Sequence, residues 1–298
     1  MLEVRGLPGP VLLSVGEILW DQYPGYRLLG GAPFNLAAHA ARLGFAAHFI
    51  SAVGKDEAGD EALARAEALG VDMTYTRRHP QWPTGIVDVT LDADRHPSYH
   101  LRRPAAWEEP EISACQAAAL QALRPAWLVC GMLQQTCPQA RAARLALGGI
   151  PLFYDVNLRP GFEDPATVDE LLRAASVVKC NDVELDWLAR ELSLDGDPAA
   201  ALLRRYSFTV LCITKGADGC RLHAHGEVVE EKAPTISVID TVGAGDAFSA
   251  ALLHGLTSQW PLDRTARFAN ALGSIVASRR GAIPDWTREE LYTAANLQ

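Results

Sequence analysis

The chain has 298 residues, 49% of them hydrophobic and 21% charged, enough apolar material for a sizeable core and too much for a disordered polypeptide. Acidic side chains outnumber basic ones 36 to 27, the formal charge is −9, and no basic run breaks that balance, so a nucleic-acid partner, which requires phosphate neutralisation, is not expected. No apolar run reaches the roughly 18 residues that cross a bilayer, so no membrane partner is expected either.

In chain order, short apolar runs alternate with helical patterns. Strands are expected at Val11–Val15, Ala47–Val53, Trp127–Gly131, Leu152–Asp155, Val177–Cys180 and Val210–Thr214. Most are continuous apolar runs, the signature of parallel strands buried on both faces. Helices are expected at Asn35–Leu43 and Asp56–Leu69, stopped by Gly44 and Gly70, and at Ala114–Leu123, Pro138–Leu147, Pro165–Ala174, Asp182–Glu191, Asp246–Thr257 and Arg264–Ser278. Two stretches break the rhythm. Trp20–Leu29 is a non-helical excursion after the first strand. Ile86–Leu91, the turn-rich Asp92–Pro97 and Ser98–Leu101 read as a β-hairpin. The two excursions are expected to pair as a small sheet covering a ligand cleft. Together these features predict an α/β protein with a mostly parallel central sheet and a small β lid. One domain, 1–298, is expected, with lid segments at about 20–33 and 84–103.

Six cysteines form no Cys-x-x-Cys pair, and several sit in apolar stretches, so buried free thiols and a cytoplasmic setting are expected. Met1–Gly6 does not read as a signal peptide. His223-x-His225 would place two imidazoles on one strand face, which is more often a solvated edge than a metal site. There is no Gly-x-x-x-x-Gly-Lys-Ser/Thr loop, and the first strand leads into Gly16-Glu17 rather than Gly-x-Gly-x-x-Gly.

The chemistry concentrates at Asp240-Thr241-Val242-Gly243-Ala244-Gly245-Asp246, a small-residue loop opening into a helix. Backbone N–H groups at such a junction lack intrahelical partners and, with the helix dipole, make an anion site. Asp246 stands beside it as a proton acceptor, or as the cap of that helix. The loop matches in full the C-terminal signature of the ribokinase-like (PfkB) family of sugar kinases. The chain resembles that family further in Gly30-Gly31-Ala32-Pro33-Phe34-Asn35, Asn181-Asp182-Val183-Glu184, Ile213-Thr214-Lys215-Gly216-Ala217-Asp218-Gly219 and Asp155-Val156-Asn157-Leu158-Arg159-Pro160, in the family's order and in a fructokinase-like form.

The resemblance implies a ribokinase-like three-layer α/β/α fold and ATP-dependent phosphorylation of a sugar hydroxyl, most consistent with fructose or a related ketose. It implies Asp246 as the base, and Gly243, Ala244 and Gly245 as an anion hole. Asp21, Gly30, Gly31 and Asn35 would bind the sugar. Asn157, Arg159, Asn181, Thr214, Gly216 and Asn270 would serve the nucleotide, with Lys179 a lesser candidate beside Arg159. Glu184 would hold Mg2+ through water, and Asp240 would help hold a monovalent cation such as K+. Asn181 and Glu184 also fit a helix capping box, Asp240 a loop brace, and Asn270 a solvated helix residue. Within the same fold, a kinase for another sugar, a sugar acid or a nucleoside stays open, as does a catalytically silent sugar-binding regulator. The exposed lid edges suggest a homodimer through the lid.

Overall fold

A computed structural model describes residues 9–91 and 97–297. The expectations for Met1–Gly6 and for the turn at 92–96 lie outside the described residues. In chain order the elements are β1 (Val11–Val15), β2 (Leu19–Tyr23), β3 (Tyr26–Gly30), α1 (Ala32–Leu43), β4 (Ala46–Gly54), α2 (Glu57–Ala68), β5 (Thr76–His79), β6 (Gly85–Leu91), β7 (Pro97–Leu101), α3 (Ala114–Ala122), β8 (Trp127–Gly131), α4 (Met132–Gln135), α5 (Pro138–Ala146), β9 (Leu152–Asp155), α6 (Pro165–Ala174), β10 (Ala175–Asn181), α7 (Asp182–Glu191), α8 (Pro198–Arg205), β11 (Val210–Thr214), β12 (Cys220–Ala224), β13 (Glu227–Glu231), α9 (Ala244–Thr257), α10 (Leu262–Ala277) and α11 (Arg288–Ala294).

The central sheet has nine strands in the order β13-β12-β11-β10-β9-β8-β1-β4-β5. All pairings are parallel except the antiparallel β11–β12 and β12–β13 at one edge. Alternation along the strands sends side chains to two helical layers. Leu12, Val129, Phe153 and Val177 pack with α1, α9, α10 and α11. Leu13, Val15, Leu128, Tyr154 and Val178 pack with α3, α6, α7 and α8. This is the expected three-layer α/β/α arrangement.

Local sequence sets the helix ends. Asp56, Ser113, Asp164, Asp197 and Thr287 cap α2, α3, α6, α8 and α11 through their side chains, and proline occupies the first turn of α1, α5, α6 and α8. Gly44 closes α1 in the left-handed conformation at φ 101°.

The two excursions pair as expected. β2 hydrogen-bonds to β6 in parallel, giving a second sheet in the order β3-β2-β6-β7. The cysteine expectation holds for five residues, but Cys115 is exposed because it sits on the outer face of α3. The His223-x-His225 pair is not on one strand face: His223 is on β12, while His225 adopts φ 52° in the turn after it. Among the described residues no cluster of three or more His, Cys, Asp or Glu could hold a metal by itself.

The chain order fixes where a ligand belongs. It leaves β1 toward β4 and β5, then returns to β8 on the other side of β1 and proceeds outward. The strand order therefore reverses between β1 and β8, and open α/β sheets bind ligands beyond the carboxyl ends of the strands at such a reversal.

Candidate active site

Gly16-Glu17 follows β1, Gly131 ends β8, Asp155 ends β9, Asn181 ends β10 and Thr214 ends β11, so one edge of the sheet collects these groups. A cleft at this edge is lined by Pro33, Gly131, Asp155, Asn157 and Asp246 among others.

α9 opens the site. It begins at Ala244, two residues before the expected start, and Gly243 is its N-cap at φ 76°. Asp246 is thus inside the first turn rather than the cap, which corrects the capping alternative. The turn needs glycine, because a Cβ on Gly243 would be left-handed and only 2.5 Å from Ala282 Cα. Of the local amides, Ala244 N–H points back to the Thr241 carbonyl at 3.3 Å, while among the described residues those of Gly243, Gly245 and Asp246 have no backbone acceptor. Unpaired N–H groups at the positive end of a helix dipole can receive an anion, and of the expected set Gly243 and Gly245 offer them while the Ala244 amide is engaged.

Asp246 is joined to the far end of the sequence: Asn35 Nδ2 donates to Asp246 Oδ2 at 2.8 Å across 211 residues. Asn35 is buried, and its Oδ1 has no partner among the described residues, so it still has an acceptor to offer. Gly31 lets α1 begin where it does, with φ 114° and the Glu17 carbonyl 2.2 Å from where a Cβ would sit. Gly30 is equally constrained, since its Cβ would stand 2.8 Å from Asp21 Oδ2. The four expected acceptor-binding residues, Asp21, Gly30, Gly31 and Asn35, therefore come together at the junction of lid and α1.

Beside the start of α9 lies a charge pair the sequence did not reveal as such. Asp155 and Lys179 are direct register partners on β9 and β10, and Lys179 Nζ donates to Asp155 Oδ2 at 2.8 Å. Both side chains are about nine-tenths buried, at 8% and 10% exposure. Ser249 Oγ of α9 lies 3.1 Å from Asp155 Oδ2 and 2.9 Å from the Gly245 carbonyl. Lys179 Nζ is also 3.5 Å from the position of a Cβ on Gly245, so its charge stands directly beside the first turn of α9. Burial works against the ammonium, but Asp155 and Glu184 outweigh it and hold its pKa above the ordinary lysine value.

The nucleotide candidates divide. Asn181 and Thr214 are register partners on β10 and β11, with Gly216 just beyond. Asn181 and Glu184 form a full capping box: Asn181 Oδ1 accepts from Glu184 N and Glu184 Oε2 accepts from Asn181 N, both at 2.8 Å. Glu184 Oε1 also accepts from Leu158 N at 2.9 Å, tying the loop after β9 to α7. Each carboxylate oxygen keeps a second lone pair, and Asp155 Oδ1 is buried with no partner. Oxygen donors that cannot enclose an ion alone suit Mg2+, which retains several waters.

Asn270 is not the solvated residue its helix position allowed. It is buried, and its Nδ2 donates to the Glu231 carbonyl at 3.0 Å. Asn157 lines the cleft with Asp246, and Arg159 is exposed with its charge acting on Glu17, Asp21 and Asp246. Asn157 thus stands beside Asp246, and Arg159 lies near enough for its charge to reach that carboxyl. Asp240 Oδ1 accepts from Val242 N at 3.1 Å and Oδ2 from Gly281 N at 2.9 Å, bracing the loop against the segment after α10.

Glu17 was missed although it lies only two residues past the end of the first strand. It is buried, its Oε1 accepts from Ala32 N at 3.2 Å, and burial pushes its pKa up to about 7. Burial likewise raises Asp21 to about 6, with Arg159 opposing, and Asp246 to about 6, opposed chiefly by the Asn35 hydrogen bond. A carboxyl raised to this range is suited to accept a proton near neutral pH. The rate for the acceptor at saturating nucleotide, kcat/KM, should therefore rise with pH through a limb centred near 6, where Asp246 and Asp21 ionise. A limb centred near 4, or none above it, would contradict these environments.

Comparison with known proteins shows the family. The family model described as pfkB family carbohydrate kinase matches residues 27–288. The chain is 32% identical to fructokinase-1 of Oryza sativa subsp. japonica, over 94% of this chain and 95% of that protein. The crystal structure of fructokinase with bound ATP from Xylella fastidiosa superposes with a TM-score of 0.82 at 25% identity, over 97% of this chain and 99% of that one. The aminoimidazole riboside kinase of Salmonella enterica, complexed with aminoimidazole riboside and an ATP analogue, gives a TM-score of 0.77 at 25% identity, over 96% and 99%.

Proposed function

The chain belongs to the pfkB family of carbohydrate kinases, and from that premise we propose that it transfers the γ-phosphoryl group of ATP to a hydroxyl of fructose or a related ketose, with Asp246 as the base. The observation that carries this reading is the hydrogen bond joining Asn35 to Asp246 at the mouth of the anion hole. It sets one acceptor-binding residue against the base and the base against unpaired amides. The fructokinases at 32% and 25% identity support the ketose.

Transfer is in line. The acceptor O–H bond breaks as its proton passes to Asp246, an O–P bond forms, and the bond from the γ-phosphorus to the ADP oxygen breaks. Asp21 and Asn35 hold the acceptor hydroxyls. The free amides of Gly243 and Gly245, which flank Ala244, receive the charge on the moving group, with the Lys179 ammonium beside them. Thr214, Gly216 and Asn270 serve the nucleotide side, and Arg159 and Asn157 the junction. Glu184 would hold Mg2+ through water with Asn181 beside it, and the ion when bound offsets phosphate charge. A K+ ion beside the loop braced by Asp240 is part of the same reading. The chain works as one kinase domain with segments 20–33 and 84–103 as its lid. The exposed Tyr26 and Tyr99 on the two outer lid strands favour a homodimer through that sheet.

Coupled ATP-consumption assays over fructose, tagatose, ribose, 2-keto-3-deoxygluconate and nucleosides test the proposal. Highest kcat/KM on a ketose is expected. Preference for a nucleoside would instead favour the activity of the riboside kinase neighbour. Asp21→Ala should raise the acceptor KM about 10-fold or more, the effect of leaving buried hydroxyls unpaired at a cost of about 1–3 kcal/mol, while ATP affinity holds. Loss of ATP affinity with normal acceptor KM would mean the two halves of the cleft are reversed.

A further inference from the structure

The helix that delivers Asn35 carries a second polar side chain one turn further on. His39 is fully buried, and residues four apart share a helix face. Its ring is held at both nitrogens: Nε2 lies 2.9 Å from the Ala282 carbonyl oxygen, and Trp286 Nε1 donates to Nδ1 at 3.1 Å. An indole only donates and a carbonyl only accepts, so the proton is on Nε2 and Nδ1 is bare. Burial pushes the imidazole pKa down to about 4, so the ring is neutral under working conditions.

The acceptor is significant. Ala282 packs directly against the turn that opens α9: a Cβ on Gly243 would lie 2.5 Å from Ala282 Cα and 2.6 Å from its oxygen. The preceding amide, Gly281 N–H, is the one held by Asp240. The carbonyl that His39 grips is thus part of the floor on which the Gly243–Gly245 backbone rests. Arg42, on the same helix, holds the Pro284 carbonyl at 2.7 Å and extends the grip along this segment.

We propose that His39 is a positioning residue for phosphoryl transfer: its Nε2–H fixes Ala282 beneath Gly243 and so sets the anion hole, while Asn35 on the same face of α1 sets Asp246. One rigid helix then holds base and hole in a constant relation, and displacements of about 1 Å at such a site cost up to ~100-fold in rate. The inference rests on the anion-hole reading of Gly243–Gly245.

Glutamine and asparagine divide the two contacts. A Gln amide extends about as far as Nε2 and can donate to Ala282, whereas Asn extends only as far as Nδ1 and can meet only Trp286. His39→Gln should keep kcat within about 3-fold. His39→Asn should lower kcat about 10-fold or more with KM for both substrates within about 3-fold, each corrected for the folded fraction. Trp286→Phe removes the other contact only, and should keep wild-type kcat even if its melting temperature falls. Equal kcat for the Gln and Asn variants, a loss confined to KM, or a Trp286→Phe loss as large as that of His39→Asn would overturn the proposal. Asp246→Asn measured alongside separates the levels. An inactive Asp246→Asn with equal His39 variants removes the His39 inference alone, and an active one removes the reading beneath it.

Discussion

Lys179→Met should destabilise the protein by about 3–5 kcal/mol, read as a large fall in the denaturant midpoint. The size follows from what is left behind. Asp155 is nine-tenths buried, its Oδ1 already lacks a partner, and its Oδ2 would retain only the Ser249 hydroxyl. A buried carboxylate stripped of its counter-charge loses far more than a surface pair would, because solvent cannot replace the lost partner. Asp155→Leu should cost a similar amount by stranding the ammonium, and the double variant should recover most of the loss, since an apolar pair of similar volume is tolerated where a lone charge is not. The double variant should nevertheless turn over poorly, because the positive charge beside Gly245 is gone. Additive losses in the two single variants, with no recovery in the double, would show that the pair is not coupled.

That pair also marks a limit of reading the sequence. Val177–Cys180 and Leu152–Asp155 were visible as apolar strands, and alternation alone places Lys179 and Asp155 on the same faces as Val177 and Phe153. Their partnership depends on β9 and β10 being neighbours in register, which is a tertiary fact. The Asn35–Asp246 contact was hidden for the same reason. Motif order suggested that both serve one site, but no local pattern spans 211 residues. The central strands and most helices were legible because burial on both sheet faces forces continuous apolar runs and because caps such as Asp164 and Ser113 act locally. α8, with Asp197 as its cap and Pro198 in its first turn, carries the same local signals and was passed over, as were β5 and β13. Those strands are short edge elements, and Thr76–His79 and Glu227–Glu231 are too polar to signal burial. Asn181 and Glu184 show how two readings can coexist: the capping box is formed, and each oxygen of the same carboxylate keeps a second lone pair.

The claim that Asp246 accepts the proton is tested most directly by Asp246→Asn. Because Gly243, not Asp246, caps α9, the change leaves the helix start intact, and an Asn oxygen can still accept from Asn35 Nδ2. Burial raises the Asp246 pKa from 3.8 to about 6. A carboxyl raised in the folded state favours folding fully below its unfolded pKa, and that contribution is lost as pH rises through about 6. At pH 7.5 the ionised group is therefore a cost that Asn does not carry, on the order of 1–3 kcal/mol. The account predicts an Asp246→Asn protein that melts at or above the wild-type temperature at pH 7.5, binds ATP and sugar, and turns over about 10²–10⁴-fold more slowly. Turnover within about 10-fold of wild type, in a folded protein that binds both substrates, would contradict it.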